Sequence, residues 1–340
     1  MKQHKNILIV RTDRIGDVVL TLPMAKFIKE KYSEAHVTFL VRDYTAILPE
    51  LHKFTDNVLT LPVKNGSLNF SELIAMIRTG KFDAAIIVHP KFLISLAVFF
   101  ARIKQRIGSG YRWYSFLFTD KIYEHRKTGE KHELEYNLNL LKPMGVVKIN
   151  KESVSFDIQP SGKSEQTVYK LFKSHNINTS KKAVIIHPGS GGSSIDLPIS
   201  KFISLTEKLA RELDCYVLVT GSKEEKETCE KFMVNQNTYN LAGKLDLNEL
   251  TYVISKADVL IANSTGPIHI AAAFDKDIIG FYPKIKECSV ERWGPYTNKR
   301  IIFSPTINCS NCTRKQCEQL NCMDSINIDQ VFENISQLLS

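Results

Sequence analysis

The strongest constraint on this chain is a rhythm that runs through it twice. Short β-branched runs, "NILIV" (6–10), "HVTFLV" (36–41), "NVLTL" (57–61) and "AAIIV" (84–88), alternate with amphipathic stretches of helical length. The pattern resumes with "AVIIH" (183–187), "CYVLVT" (215–220), "DVLIA" (258–262) and "DIIGFY" (277–282). Such alternation predicts βαβ units, a parallel sheet and helices on both of its faces. The polar stretch "IQPSGKSEQTVYK" (158–170) separates the two series. An α/β chain of 340 residues is also too long for one ordinary core and suits two domains of about 150 residues each. The expectation is therefore two Rossmann-like, doubly wound domains, residues 1–160 and 175–326, joined near 158–180 and facing each other across a cleft, with a closing helix over 327–340. Open parallel sheets bind ligands beyond the carboxyl ends of their strands, so the informative residues stand just after each run.

Composition excludes several classes. The longest apolar run, "FLISLAVFFA" (92–101), has ten residues between Lys91 and Arg102, short of the roughly 20 that span a bilayer, and reads as a buried helix. "MKQHKNILIV" has no secretory signal pattern, which makes the cytoplasm the expected compartment. The net charge of +9 is uneven: residues 1–160 carry 24 Lys and Arg against 16 Asp and Glu, and residues 161–340 carry 21 against 20. A basic first half suits an anionic partner, although a solvated basic surface explains it equally well. No aromatic-rich basic motif of an RNA-binding module is present, so no nucleic acid is expected.

Four stretches carry chemistry. "RTDRIGDVVLTLP" (11–23) places Arg11, Asp13, Arg14 and Asp17 directly after the first strand, more charge than a mere connection needs. "HPGSGGSS" (187–194) follows a strand and precedes a helix: Gly189, Gly191 and Gly192 allow close backbone approach, and Ser190, Ser193 and Ser194 add hydroxyl donors. "NSTGPIHIAAA" (263–273) offers the amides of Thr265, Gly266 and Ile268 as a second anion cradle, and two cradles in one domain suit a pyrophosphate. His269 there is either a core histidine or a ligand. In "VTGSKEEKE" (219–227), Glu225 is placed to accept from ribose hydroxyls, or is simply an acid at a helix start.

Taken together, "ILIVRTDRIGDVVLTLP", "HPGSGG", "TGS…E" and "NSTGPIHIAAA", with weaker matches at "RIGSGYR" (106–112), "KHELEYNLNLL" (131–141) and "RWGPY" (292–296), resemble glycosyltransferase family 9, the bacterial heptosyltransferases of lipopolysaccharide core assembly. The resemblance implies a GT-B architecture and inverting, metal-independent transfer from a nucleotide-sugar, ADP-heptose first, to an anionic glycolipid at the inner face of the cytoplasmic membrane. It implies Asp17 as general base; Arg11, Arg14, Lys91 and Arg112 toward the acceptor; and His187, Ser190, Gly191, Gly192, Glu225, Ser264, Thr265, Gly266 and His269 toward the donor. Arg14 has the alternative of pairing with Asp13 or Asp17. No Asp-x-Asp motif suited to clamping a divalent ion on a diphosphate is expected, and no cofactor is required for catalysis.

Two positions depart from the family pattern: Ile195 stands where a Lys or Arg precedes "WP", with Leu197 in place of the Trp, and Ser264 stands where an Asp precedes "TG". These keep open a different donor or a different acceptor; the alternative readings are a GT-B sugar-nucleotide epimerase or a degenerate, non-catalytic binder of nucleotides or anions. Finally, Cys309, Cys312, Cys317 and Cys322 in "CSNCTRKQCEQLNC" have a spacing that suits a structural zinc; disulfides, free thiols and an iron–sulfur centre are the alternatives.

Overall fold

The computed structural model describes residues 5–147, 149–307 and 313–340. The chain divides into two compact units, one of residues 1–126 and 131–159, the other of 127–130 and 160–340. The first contains a six-stranded sheet of β1 (Asn6–Val10), β2 (His36–Val41), β3 (Asn57–Thr60), β4 (Ala84–Ile87), β5 (Gln105–Ser109) and β6 (Asp120–Ile122). Its order is β3-β2-β1-β4-β5-β6, with every neighbouring pair parallel. The second repeats that order in β7 (Lys182–His187), β8 (Cys215–Val219), β9 (Thr238–Asn240), β10 (Val259–Asn263), β11 (Asp277–Phe281) and β12 (Arg300–Phe303), arranged β9-β8-β7-β10-β11-β12 and again all parallel. Each unit is thus a doubly wound α/β domain.

The central strands explain the apolar runs. Ile7, Leu8, Ile9 and Val10 of β1 and Val184, Ile185 and Ile186 of β7 are wholly buried, because helices cover both faces of a parallel sheet. Several helices matter below: α1 (Ile15–Val19), α2 (Phe92–Phe100), α3 (Glu133–Asn139), α4 (Gly162–Ser174), α5 (Ile199–Glu212), α6 (Gly266–Ala273), α7 (Arg314–Gln319) and α8 (Ile328–Leu339). The segment expected as a joint holds α4, which belongs to the second unit, and α8 packs on α5 through Val331 and Ile335 within that unit's core. The apolar run at 92–101 is helical but not wholly buried. Ile94, Ala97 and Val98 join the core, whereas Leu93, Phe99 and Phe100 are exposed, since a helix lying on a sheet buries only one face.

In each sheet the order reverses beside the first strand, between β1 and β4 and between β7 and β10. Crossover helices leave on opposite faces at such a reversal and open a crevice at the strands' carboxyl ends. The residues immediately after β1 and β4 are Arg11–Asp17 and Val88–Lys91; those after β7 and β10 are Pro188–Ser194 and Ser264–Gly266.

Candidate active site: strand-end clusters in each unit

In the first unit, Arg11 ends β1 and is only 1% exposed. A buried guanidinium is tolerated only when paired, and this one is surrounded by carboxylates. It contacts Asp17 closely, lies 3.4 Å from Asp13 and 3.4 Å from Glu133, and donates to Asn137 Oδ1 at 3.3 Å. Glu133 and Asn137, one turn apart on α3, face inward together, and Arg126 also pairs with Glu133. Asn137 further donates to Leu20 O at 3.0 Å, pinning the end of α1. Asp17 lies in the first turn of α1, where Thr21 donates to its carbonyl at 2.7 Å.

Burial pushes the Asp17 carboxyl above the usual carboxylate range; Arg11 opposes that shift, while Asp13 and Glu133 add to it. Asp13 goes the other way: burial would raise it, but Arg11, His89 and Lys91 outweigh burial and hold it low. Burial also opposes the charge on Arg11, yet the three carboxylates prevail and keep it protonated. Two neighbouring carboxyls are thereby driven apart, Asp13 as a fixed anion and Asp17 as the more basic group, a division typical of acid–base sites.

The expected acceptor ligands fall into different places. Arg11 is withdrawn from that role, because its burial and its carboxylate partners make it the support of Asp17. Arg14 is exposed, and Asp13 and Asp17 pair with Arg11 rather than with it. Lys91 reaches back from the end of β4 to Thr12 O at 3.3 Å, and Arg112 is exposed beyond β5. His89, absent from the sequence-based set, bonds Asp13 Oδ2 through Nδ1 at 2.7 Å. The signal that could have found it is its position just after a buried strand. Thr12 Oγ1 and Asp13 Oδ1 are buried without a partner among the described residues, so this turn retains hydrogen-bonding capacity for a substrate.

In the second unit the two cradles are joined. Asn263, wholly buried at the end of β10, accepts from Leu197 N at 2.9 Å and donates to Pro188 O. The Ser193 hydroxyl lies 2.8 Å from Ser190 O and 2.9 Å from Ser264 O, and its one proton is shared between the two carbonyls. Gly191 and Gly192 adopt φ of +55° and +74°, and a Cβ at either would meet nothing within 4 Å, so conformation rather than space demands glycine there. Gly189 is different, since a Cβ would collide with Glu225, whose carboxylate accepts from Ser222 N at 2.7 Å. Glu225 therefore lies against the Gly-rich turn, at the N-cap of the short helix Lys226–Glu230. His187 bonds Thr220 Oγ1 at 2.9 Å, and burial pushes its pKa to about 4, so it is neutral at pH 7. Ser190, Ser264 and His269 are buried; Thr265 and Gly266 are half-buried at the start of α6, and Gly191 and Gly192 form the exposed lip.

Ile195 and Leu197 are core residues packed with Phe202 and Val217, which is why this position holds no base. The stretch 188–200 contains no Lys or Arg. A cation arrives from far along the chain instead. Arg314, at the start of α7, donates to Gly192 O at 3.2 Å and Ser194 O at 2.7 Å, and Cys288 Sγ donates to Ser193 O at 3.4 Å. An Asp-x-Asp spacing occurs at Asp275-Lys276-Asp277, at the amino end of β11 and away from the Gly-rich turn, and Asp275 pairs with Lys299 at 2.9 Å. Cys309 and Cys312 lie outside the described residues, and Cys317 and Cys322 are buried in the second unit's core. Among the described residues, no group of three metal-ligating side chains forms.

Two doubly wound α/β domains in one chain are the make-up of the GT-B fold. The chain matches the model of glycosyltransferase family 9 (heptosyltransferase) over residues 71–323 and belongs to that family. It is 29% identical to a Haemophilus influenzae protein named only as a glycosyltransferase, over 98% of this chain and 96% of the relative. It is 26% identical to the lipopolysaccharide core heptosyltransferase OpsX of the same organism, over 88% and 84% of the two chains. Its fold matches the crystal structure of a family 9 glycosyl transferase from Veillonella parvula with a TM-score of 0.84 at 19% identity, covering 100% of this chain and 98% of that one. It also matches Escherichia coli ADP-heptose lps heptosyltransferase II with a TM-score of 0.80 at 18% identity, covering 98% of each chain.

Proposed function

We propose that this glycosyltransferase moves a heptose or closely related sugar from a nucleotide-sugar, ADP-heptose first, to a lipopolysaccharide-core or related glycolipid acceptor, working in the cytoplasm at the inner face of the membrane. The relatives named for lipopolysaccharide heptose transfer support the substrate class. The observation that carries the chemistry is Asp17, a carboxylate raised in basicity and held in place by a buried arginine. In this reading Asp17 takes the proton from an acceptor hydroxyl while that oxygen attacks the anomeric carbon from the face opposite the diphosphate. The bond to the diphosphate breaks as the new glycosidic bond forms, which inverts the configuration. The departing charge is met by the amides of the Gly-rich turn, the start of α6 and Arg314, with no metal required.

Calorimetric titration with ADP, UDP and GDP in the absence of divalent metal, followed by transfer assays with ADP-heptose, tests the reading. Saturable binding of ADP and transfer that falls about 100-fold or more in Asp17→Asn support it. Binding of UDP or GDP alone replaces the donor, and failure to bind any of the three removes the transferase role.

A further inference from the structure

One stretch of the first unit, residues 92–116, exposes several large apolar side chains. Trp113 is 74% exposed and Phe116 65%, and both lie on the turn between β5 and β6. Leu93 and Phe100 stand seven residues apart on α2, and therefore on one stripe of that helix, with Phe99 beside them; all three are exposed. The turn and the helix form one surface. Trp113 packs on Phe92, ring centroids 4.8 Å apart, at the start of α2, and at its end Arg106 lies over the Phe99 ring at 5.3 Å while donating to Leu117 O at 2.7 Å. Residues 91–123, which hold this aromatic surface, contain six basic side chains and one acidic, and Arg102, Lys104, Arg112 and Lys121 among them are exposed.

We infer that this face docks on the headgroup region of an anionic lipid bilayer. Tryptophan and phenylalanine ringed by Arg and Lys suit an interface that is apolar beneath and negatively charged above. A second copy of the same face is the poorer occupant, because two such basic rims repel each other. The helix is too short to span a membrane, so the contact is superficial. The face also starts where the chemistry is: Phe92 follows Lys91, whose ammonium bonds Thr12 O beside Asp13. A glycolipid in that bilayer would meet the Asp17 turn headgroup first. In this last respect the inference rests on the glycolipid reading of the acceptor; bilayer binding itself does not.

The test uses the full chain and vesicles of phosphatidylcholine with or without phosphatidylglycerol, containing no glycolipid and no donor. Trp113 becomes the sole tryptophan in a Trp293→Phe variant, since the chain has two. Expected are flotation with phosphatidylglycerol vesicles that weakens as salt rises, and quenching of Trp113 by bromine-labelled lipid. Trp113→Ser/Phe116→Ser should lower partitioning by about tenfold or more while leaving thermal midpoint and ADP binding unchanged. Absence of vesicle binding by the parent chain, absence of quenching, or equal partitioning of the double variant overturns the inference. So does a double variant that loses only concentration-dependent self-association, which would make a second copy the occupant. Because ADP binding is measured in the same samples, loss of vesicle binding with intact ADP binding refutes the docking face alone, whereas an inability of the parent chain to bind nucleotide refutes the transferase reading.

Discussion

Replacing Arg11 with methionine removes one buried positive charge from among three carboxylates and keeps most of the side-chain volume. At 3.4 Å, the distance to Asp13 and to Glu133, an opposite charge is worth about 5 kcal/mol gross at an effective dielectric of about 20. Asp17 is closer still, yet it shares the guanidinium with the other two, and neighbours of this kind shift a carboxyl by about 1–3 pH units. Loss of Arg11 should therefore raise the Asp17 pKa further above its already elevated position. A base works only when deprotonated, so the acid limb of the kcat/KM profile should move up by the same amount. Below that limb, transfer falls about 10- to 100-fold, and it recovers as the pH rises. Arg11→Lys, which keeps the charge, should leave the limb within about half a unit. Removing one partner of a buried pair costs about 3–5 kcal/mol, so thermal unfolding of both variants and of Arg11→Met/Asp17→Asn belongs in the same series. A folded Arg11→Met enzyme whose acid limb has not moved would refute the claim that Arg11 sets the basicity of Asp17.

Because the folded state holds the Asp17 proton more tightly than the unfolded chain does, its contribution to stability is lost as pH rises past the unfolded value and through the raised folded one. Asp17→Asn should accordingly gain in thermal midpoint relative to the parent as pH rises from 4 to 8, and a constant difference in calorimetry would contradict this. Arg314→Gln should weaken ADP binding by about tenfold and adenosine binding hardly at all, with Arg314→Lys intermediate; equal losses for both ligands would mean a merely structural role for the residue. If Cys309, Cys312, Cys317 and Cys322 hold zinc, atomic emission should find one equivalent per chain, and removing it with a chelator should lower the thermal midpoint; metal-free protein that melts unchanged sinks that proposal.

The central strands were legible because both faces of β1, β2, β4, β7, β8, β10 and β11 are covered, which demands unbroken apolar runs. Four strands escaped: β5, β6, β9 and β12 are short or lie toward sheet edges, and "QRIGS", "DKI", "TYN" and "RIIF" are only partly buried. Their polar residues are tolerated because one side of each meets solvent or the rim of a helix. The site showed the same division. Residues that follow a central strand can be picked out from position alone, and the turns that hold Asp17, Glu225, Ser190 and Thr265 all stand at such strand ends. The arginine clamp could not, because Glu133 and Asn137 come to Arg11 from 122 and 126 residues away. Arg314 reaches the Gly-rich turn across a gap of 122 residues from Gly192. Contacts across such intervals are made by tertiary packing and leave no local periodicity to read.

The left-handed pair at Gly191 and Gly192 has a stereochemical consequence. With open space around both positions, the obstacle to a side chain is its handedness, at about 1–2 kcal/mol per L-residue. A D-alanine introduced at 192 by semisynthesis should settle into the existing backbone, whereas L-alanine should oppose it. The Gly-rich turn would then discriminate between mirror-image residues of identical size and polarity, separating the contribution of backbone shape from that of every contact around it.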